Sequence, residues 1–65
     1  MTLLLNGEDH ATSAHTIADL IAELSLPAET LLIEHNSRAL LRSDWPTTSL
    51  ADSDRIEFLQ VAAGG

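Results

Sequence analysis

Apolar and polar residues alternate along this chain in blocks short enough to read one element at a time. Leu3-Leu4-Leu5 is a strand-like run closed by Asn6-Gly7, a pair that tolerates positive φ and favours a two-residue hairpin. The returning segment, Glu8 to Ser13, is polar and reads as a solvent-facing edge strand. Ile17, Leu20, Ile21 and Leu24 then recur at i, i+3, i+4 and i+7, one apolar stripe of a helix over about 16–25. Thr16 is a good N-cap, and Asp19 sits three residues on, where a capping box places an acid and the helix dipole favours an anion. Pro27 cannot continue the helix.

Beyond the helix the pattern returns to strand periods. Leu31 to His35 is a third strand turned at Asn36-Ser37, and Ala39-Leu40-Leu41 a short fourth. Arg42 to Ser49, with Trp45-Pro46, reads as a loop or helical turn. Trp45 is expected to pin that loop onto the core rather than to bind a ligand. Leu50 to Asp54 is a turn, and Arg55 to Leu59 a last strand. Strand alternation puts Leu3, Leu5, Ile56 and Phe58 on the face meeting the helical stripe, with Ile33 beside them. The fold class is α+β, one helix against a mixed four- to five-stranded sheet.

Composition narrows the chemistry. Sixty-five residues make one small domain. Ten acidic residues against three arginines give a formal charge of −7, which argues against nucleic acid and against an anionic membrane surface. There is no cysteine, hence neither disulfide nor thiolate metal site. The three histidines, at 10, 15 and 35, have no helical i, i+4 pairing, so no metal site is expected. No glycine-rich loop precedes a helix, and no serine sits in a nucleophile context. No catalytic residue or bound cofactor is expected in so small a chain. Neither a signal peptide nor a spanning segment is legible, so a cytoplasmic location is expected.

The chain ends in Ala62-Ala63-Gly64-Gly65. Two glycines in the last two places arise by chance in roughly one chain in 200. A frayed tail is one reading. The other is a tail made to be threaded, since glycine has no Cβ and can enter a narrow cleft. A single domain over residues 1–65 with a flexible tail at 62–65 is expected.

The order of these pieces resembles the β-grasp, ubiquitin-like proteins, and among them the ThiS family of thiamine-biosynthesis sulfur carriers. The resemblance rests on Leu5-Asn6-Gly7, Thr16-Ile17-Ala18-Asp19-Leu20, and Asn36 ahead of Arg42-Ser43-Asp44-Trp45. It continues through Leu50-Ala51-Asp52-Ser53-Asp54-Arg55-Ile56-Glu57 and Gly64-Gly65. The chain departs from the family pattern at Ser53, where glycine is usual, at His35, usually aliphatic, and at Leu41, where proline is common.

The resemblance implies that the first and last strands lie parallel at the centre of the sheet. It implies that an E1-like adenylyltransferase activates the Gly65 carboxylate with ATP and Mg. A persulfide donor then converts it to a thiocarboxylate, which thiazole synthase consumes. Gly64, and less strictly Ala63, would provide the slender backbone for threading. Leu4, Leu59 and Val61, turned away from the helix, would form the docking patch, with Glu57 among the acids around it. The chain itself would be a protein cosubstrate, not an enzyme. The alternatives are a carrier serving molybdopterin or tRNA thiolation, and a ubiquitin-like modifier or interaction module. The absence of lysine blocks side-chain-linked self-chains.

Overall fold

The computed structural model describes residues 1–61. Its elements are β1 (Thr2–Leu5), β2 (Glu8–Ala11), α1 (Ile17–Leu24), β3 (Leu31–His35), β4 (Arg38–Leu40) and β5 (Arg55–Gln60), with 3-10 turns at Ala28–Thr30 and Arg42–Thr47. The sheet order is β2-β1-β5-β3-β4. β1 and β5, the first and last strands, are parallel neighbours, and every other pairing is antiparallel. The expected strand order and facing are therefore met. The fourth strand begins at Arg38 and leaves Leu41 outside, one residue earlier than the sequence pattern suggests, because β4 pairs His35 with Arg38 directly across the Asn36-Ser37 turn.

Turn chemistry explains these boundaries. Asn6 (φ 48°) and Gly7 (φ 84°) take the double positive-φ turn that suits the twist of a two-residue hairpin. Thr16 accepts the Asp19 N–H at 3.1 Å, so the cap forms where the sequence places it. The helix stops at Leu24, before Pro27 can act. Ser25 turns left-handed (φ 55°), and Leu26 N–H reaches back to the Ile21 carbonyl at 3.2 Å.

The helical stripe closes the core. Leu3, Ile17, Leu20 and Ile56 are fully buried, joined by Ile21, Leu31, Ile33, Trp45 and Leu50. Leu5, Leu24 and Phe58 are half-buried against them. Trp45 does pin its loop: it is 6% exposed, and the Arg42 guanidinium lies 5.9 Å from its ring centroid while donating to the Ala28 carbonyl at 3.0 Å. The loop beyond returns to α1, where Ile17 N–H donates to Thr48 and Leu50 N–H to His15.

Ser53, where the family usually has glycine, keeps a glycine-like backbone at φ 70°. Its N–H donates to Thr2 O at 2.8 Å, so the conformation is held by the closure of the turn onto β1. A non-glycine residue in this region is strained.

Three substitutions test this architecture by urea denaturation. Ile56→Ala, at the fully buried centre, is expected to cost about 2–5 kcal/mol. Leu59→Ala, on the exposed face, is expected to stay within about 0.5 kcal/mol of the parent. Ser53→Gly is expected to stabilise by about 1 kcal/mol by relieving the left-handed serine.

Candidate functional site

The candidate site lies where β5 carries the chain out of the sheet. β5 alternates strictly: Ile56 and Phe58 face the helix, while Glu57 and Leu59 face away. Val61 follows, its N–H donating to Thr30 O at 2.9 Å, so the β3–β5 ladder continues to the last described residue. Gly65, Gly64 and Ala63 lie outside the described residues.

The proposed docking residues divide. Leu59 is 61% exposed and Val61 46%. Leu4 is only half-buried and does not join them. The parallel register pairs Leu4 with Arg55, at the opposite end of β5, and four residues of strand, about 13 Å, separate Arg55 from Leu59. The neighbour that does complete the patch is Leu32, 54% exposed and directly opposite Leu59 in the β3–β5 ladder. The alternation in Leu31 to His35, with Ile33 inward, already turned Leu32 and Glu34 outward. Only the ladder register says what they meet.

Glu34 meets Glu57. Both are exposed, and directly opposed side chains in an antiparallel pair have Cβ atoms about 4.5–5.5 Å apart. Like charges so placed oppose pairing by a few tenths of a kcal/mol up to about 1. Neither carboxylate has a hydrogen bond or ion pair among the described residues. Arg55, two positions before Glu57, directs its guanidinium to Ser37 Oγ instead, at 3.4 Å. Ala39 stands opposite Glu34 on β4, too small to fill the space beside it. Leu32, Glu34, Ala39, Glu57 and Leu59, together with Ile33, Leu40 and Phe58, line a groove of ≈ 360 Å³.

A polar cluster anchors the start of β5. Asp54 accepts from Ala51 N–H at 2.9 Å and Asn36 Nδ2 at 3.0 Å, and its Oδ2 lies 2.7 Å from His35 Nε2. Asn36 Oδ1 in turn accepts the Arg55 N–H at 2.8 Å. Burial pushes the Asp54 carboxyl up, but the bonds from His35, Asn36 and Ala51 together outweigh it and leave Asp54 below its ordinary value. Asn6 does a comparable service from the β1–β2 turn, accepting the Phe58 N–H at 2.8 Å. Both asparagines are legible as turn residues, but their second role depends on β5, 19 positions from Asn36 and 52 from Asn6. His10 belongs to a separate clasp, 2.9 Å from Glu23 Oε2, while Thr12 donates to Glu23 Oε1. These bonds, His10 first and Thr12 next, hold the Glu23 carboxyl below its usual range. Among the described residues no group of three His, Cys, Asp or Glu could hold a metal ion, and no helix is long and apolar enough to cross a membrane.

A five-stranded mixed sheet with central parallel first and last strands, one helix on one face and an open opposite face defines a β-grasp domain. The ThiS family model matches residues 3–65, and the chain belongs to that family. Its structure is similar to the crystal structure of a thiamine biosynthesis protein (ThiS) from Geobacter metallireducens, with a TM-score of 0.85, 30% identity and complete coverage of both chains. The solution structure of a thiamine biosynthesis protein from the same organism gives a TM-score of 0.80 at 29% identity, covering all of this chain and 88% of that one. An uncharacterized protein, ycf40, of Trieres chinensis is 23% identical over 65 residues, spanning 98% of this chain and 89% of its own length.

The Asp54 cluster generates a pH prediction. A carboxyl whose folded value is depressed adds stability above its unfolded value, 3.8, and loses it as the pH falls through the lower folded value. The parent should therefore lose stability below about pH 4, and Asp54→Asn should lose less over the same acid range while starting less stable at neutral pH. Urea midpoints measured across the acid limb check both slopes.

Proposed function

We propose that this chain is a sulfur carrier of thiamine biosynthesis whose Gly65 carboxylate is the group that carries the sulfur. One observation carries the reading above all: membership of the ThiS family over residues 3–65, a match that runs through the terminal Gly64-Gly65. The likeness to a thiamine biosynthesis protein over the full length of both chains supports the pathway. The sheet supports the role physically, because its central strand, β5, runs directly toward that terminus.

A carboxylate is a poor electrophile, so the chemistry begins in a partner. An E1-like adenylyltransferase transfers AMP from ATP, with Mg, to the Gly65 carboxylate and releases pyrophosphate. The terminal carbonyl then bears a good leaving group. A persulfide attacks that carbon and AMP departs. Reductive cleavage of the sulfur–sulfur bond by a thiol leaves the thiocarboxylate on Gly65 and a disulfide behind. Thiazole synthase accepts the sulfur. Gly64 adds no side chain and Ala63 only a methyl group to the segment that must reach a buried site. The chain has no cysteine and no lysine to attack its own activated end. It acts as a cosubstrate, while ATP, Mg and the catalytic groups belong to its partners.

Leu59, Val61 and Leu32 form the docking patch at the base of the tail. Scattered exposed leucines are ordinary on a protein surface. These three are contiguous and end where the reactive segment begins, which favours an interface. A carrier for molybdopterin or tRNA thiolation would share the terminal chemistry, so the pathway is assigned by the family and not by the tail.

The intact mass of the chain, purified with its native C-terminus from sulfur-replete cells, should show a fraction heavier by one oxygen-to-sulfur exchange. Adding a residue after Gly65 should abolish that species and all ATP–pyrophosphate exchange with the adenylating enzyme, with circular dichroism unchanged. Full exchange in the extended variant would remove Gly65 from its role. Leu59→Glu should leave the fold intact and weaken binding to the adenylating enzyme by about tenfold or more, the loss expected for one central apolar contact. Unchanged affinity would sink the docking patch.

A further inference from the structure

We propose that Arg42 is a positioning residue for activation of the tail: braced against Trp45, it fixes the 3-10 turn at Ala28–Thr30 and, through that turn, the point at which the chain leaves the sheet. The inference rests on the carrier reading above and adds a residue that acts on the reacting end without touching it.

The last bond before the tail is made to a weak element. Val61 N–H donates to Thr30 O at 2.9 Å, and Gly65 lies four positions further on. Thr30 closes a three-residue 3-10 turn, a helix type whose hydrogen bonds are poorly aligned. Pro27 caps the turn with no side-chain bond, and the Thr30 hydroxyl reaches only the Pro27 carbonyl, at 3.4 Å. The sheet holds the turn from one end, where Leu31 pairs with Gln60.

Arg42 holds it from the other. Its Nη2 donates to Ala28 O at 3.0 Å, from a loop 14 positions away. The same carbonyl accepts the Leu31 N–H that ends the turn, so both of its lone pairs are used. A charged donor makes such a bond stronger than a neutral one. The guanidinium also lies 5.9 Å from the Trp45 ring centroid, within cation–π range. Trp45 belongs to the core, and its buried Nε1 has no hydrogen-bond partner among the described residues, so packing sets the ring. A continuous line therefore runs from the core through Trp45 and Arg42 to Ala28, Thr30 and Val61.

A tail with a fixed origin searches less space than one whose base frays. Four residues beyond Val61 reach at most about 14 Å. When the Val61 bond opens, the free segment lengthens and correct placement of the carboxylate becomes rarer. The effect falls on alignment and not on docking, because Leu32 and Leu59 are placed by the β3–β5 ladder.

The test uses the full chain with its native terminus and the adenylating enzyme of the same cell. The parent, Arg42→Ala and Arg38→Ala are compared, the last removing the same charge from the edge strand β4. Arg42→Ala should speed hydrogen exchange of the Val61 amide by about tenfold. The Leu4 amide, bonded to Asp54 O near the start of β5, should keep the parent's rate. At saturating carrier, kcat for ATP–pyrophosphate exchange should fall by about tenfold. Calorimetric affinity for the enzyme should stay within about twofold of the Arg38→Ala control. Equal acceleration at Val61 and Leu4 would mean a general loss of stability and would overturn the positioning role. A loss confined to affinity, with kcat intact, would overturn it in favour of direct contact between Arg42 and the enzyme. A parent that supports no pyrophosphate exchange would overturn the carrier reading, and this proposal with it. Full kcat in Arg42→Ala beside an active parent would overturn this proposal alone.

Discussion

The parallel pairing of β1 with β5 is the constraint on which the rest of the molecule depends. It joins residues about fifty positions apart, Leu4 to Arg55 and Leu5 to Ile56, so almost the whole chain must close before it forms. It cannot be made by a hairpin, and the intervening chain includes α1, which covers the face that these two strands present. Leu3 on β1 and Ile56, which lies opposite Leu5, are both fully buried in one core with Ile17 and Leu20. The same closure makes β5 the middle strand of the sheet, paired on both sides, so the strand that leads toward the glycines lies at the sheet's centre.

Backbone and side-chain hydrogen bonds secure the closure at both ends. At one, the Leu50–Asp54 turn bonds to β1 through Ser53 N–H and Thr2 O, Asp52 and Thr2 N–H, and Asp54 O and Leu4 N–H. At the other, Asn6 accepts from Phe58 and extends the parallel ladder where the backbone of β1 has already turned away. The strain of the left-handed Ser53 is tolerated because these bonds determine its backbone from outside. The cost falls on the turn, and the benefit falls on the strand that bears the candidate site.

The two faces of the sheet are built to different standards. The helix-facing side is apolar and closed, whereas the open side sets exposed leucines beside opposed glutamates. A face selected for stability alone would alternate charges across the ladder or place β-branched residues there. Leu32, Leu59 and Val61 with Glu34 and Glu57 do neither. Local disagreement of this kind is expected where a surface serves a partner as well as the fold.

The sequence by itself determined the elements and their faces. The Asn6-Gly7 hairpin, the Thr16 cap, the stripe through Ile17, Leu20, Ile21 and Leu24, and the inward set of β5 are encoded within a few residues of where they act. Propensity and period therefore suffice to read them. The β-grasp order and the family were legible too, from the succession of those elements and the motifs that accompany them. Register was not, because it is fixed by contacts between segments that are distant in the chain. Alternation assigns Leu4 the same face as Leu59 and Val61 but no position along the neighbouring strand, and the parallel register sets it at the other end of β5. Leu32 took its place, Glu34 came opposite Glu57, and Asn36 found Asp54 and Arg55, all through pairings that only the folded sheet creates. One-dimensional periodicity decides which way a side chain points, and tertiary structure decides what it points beside.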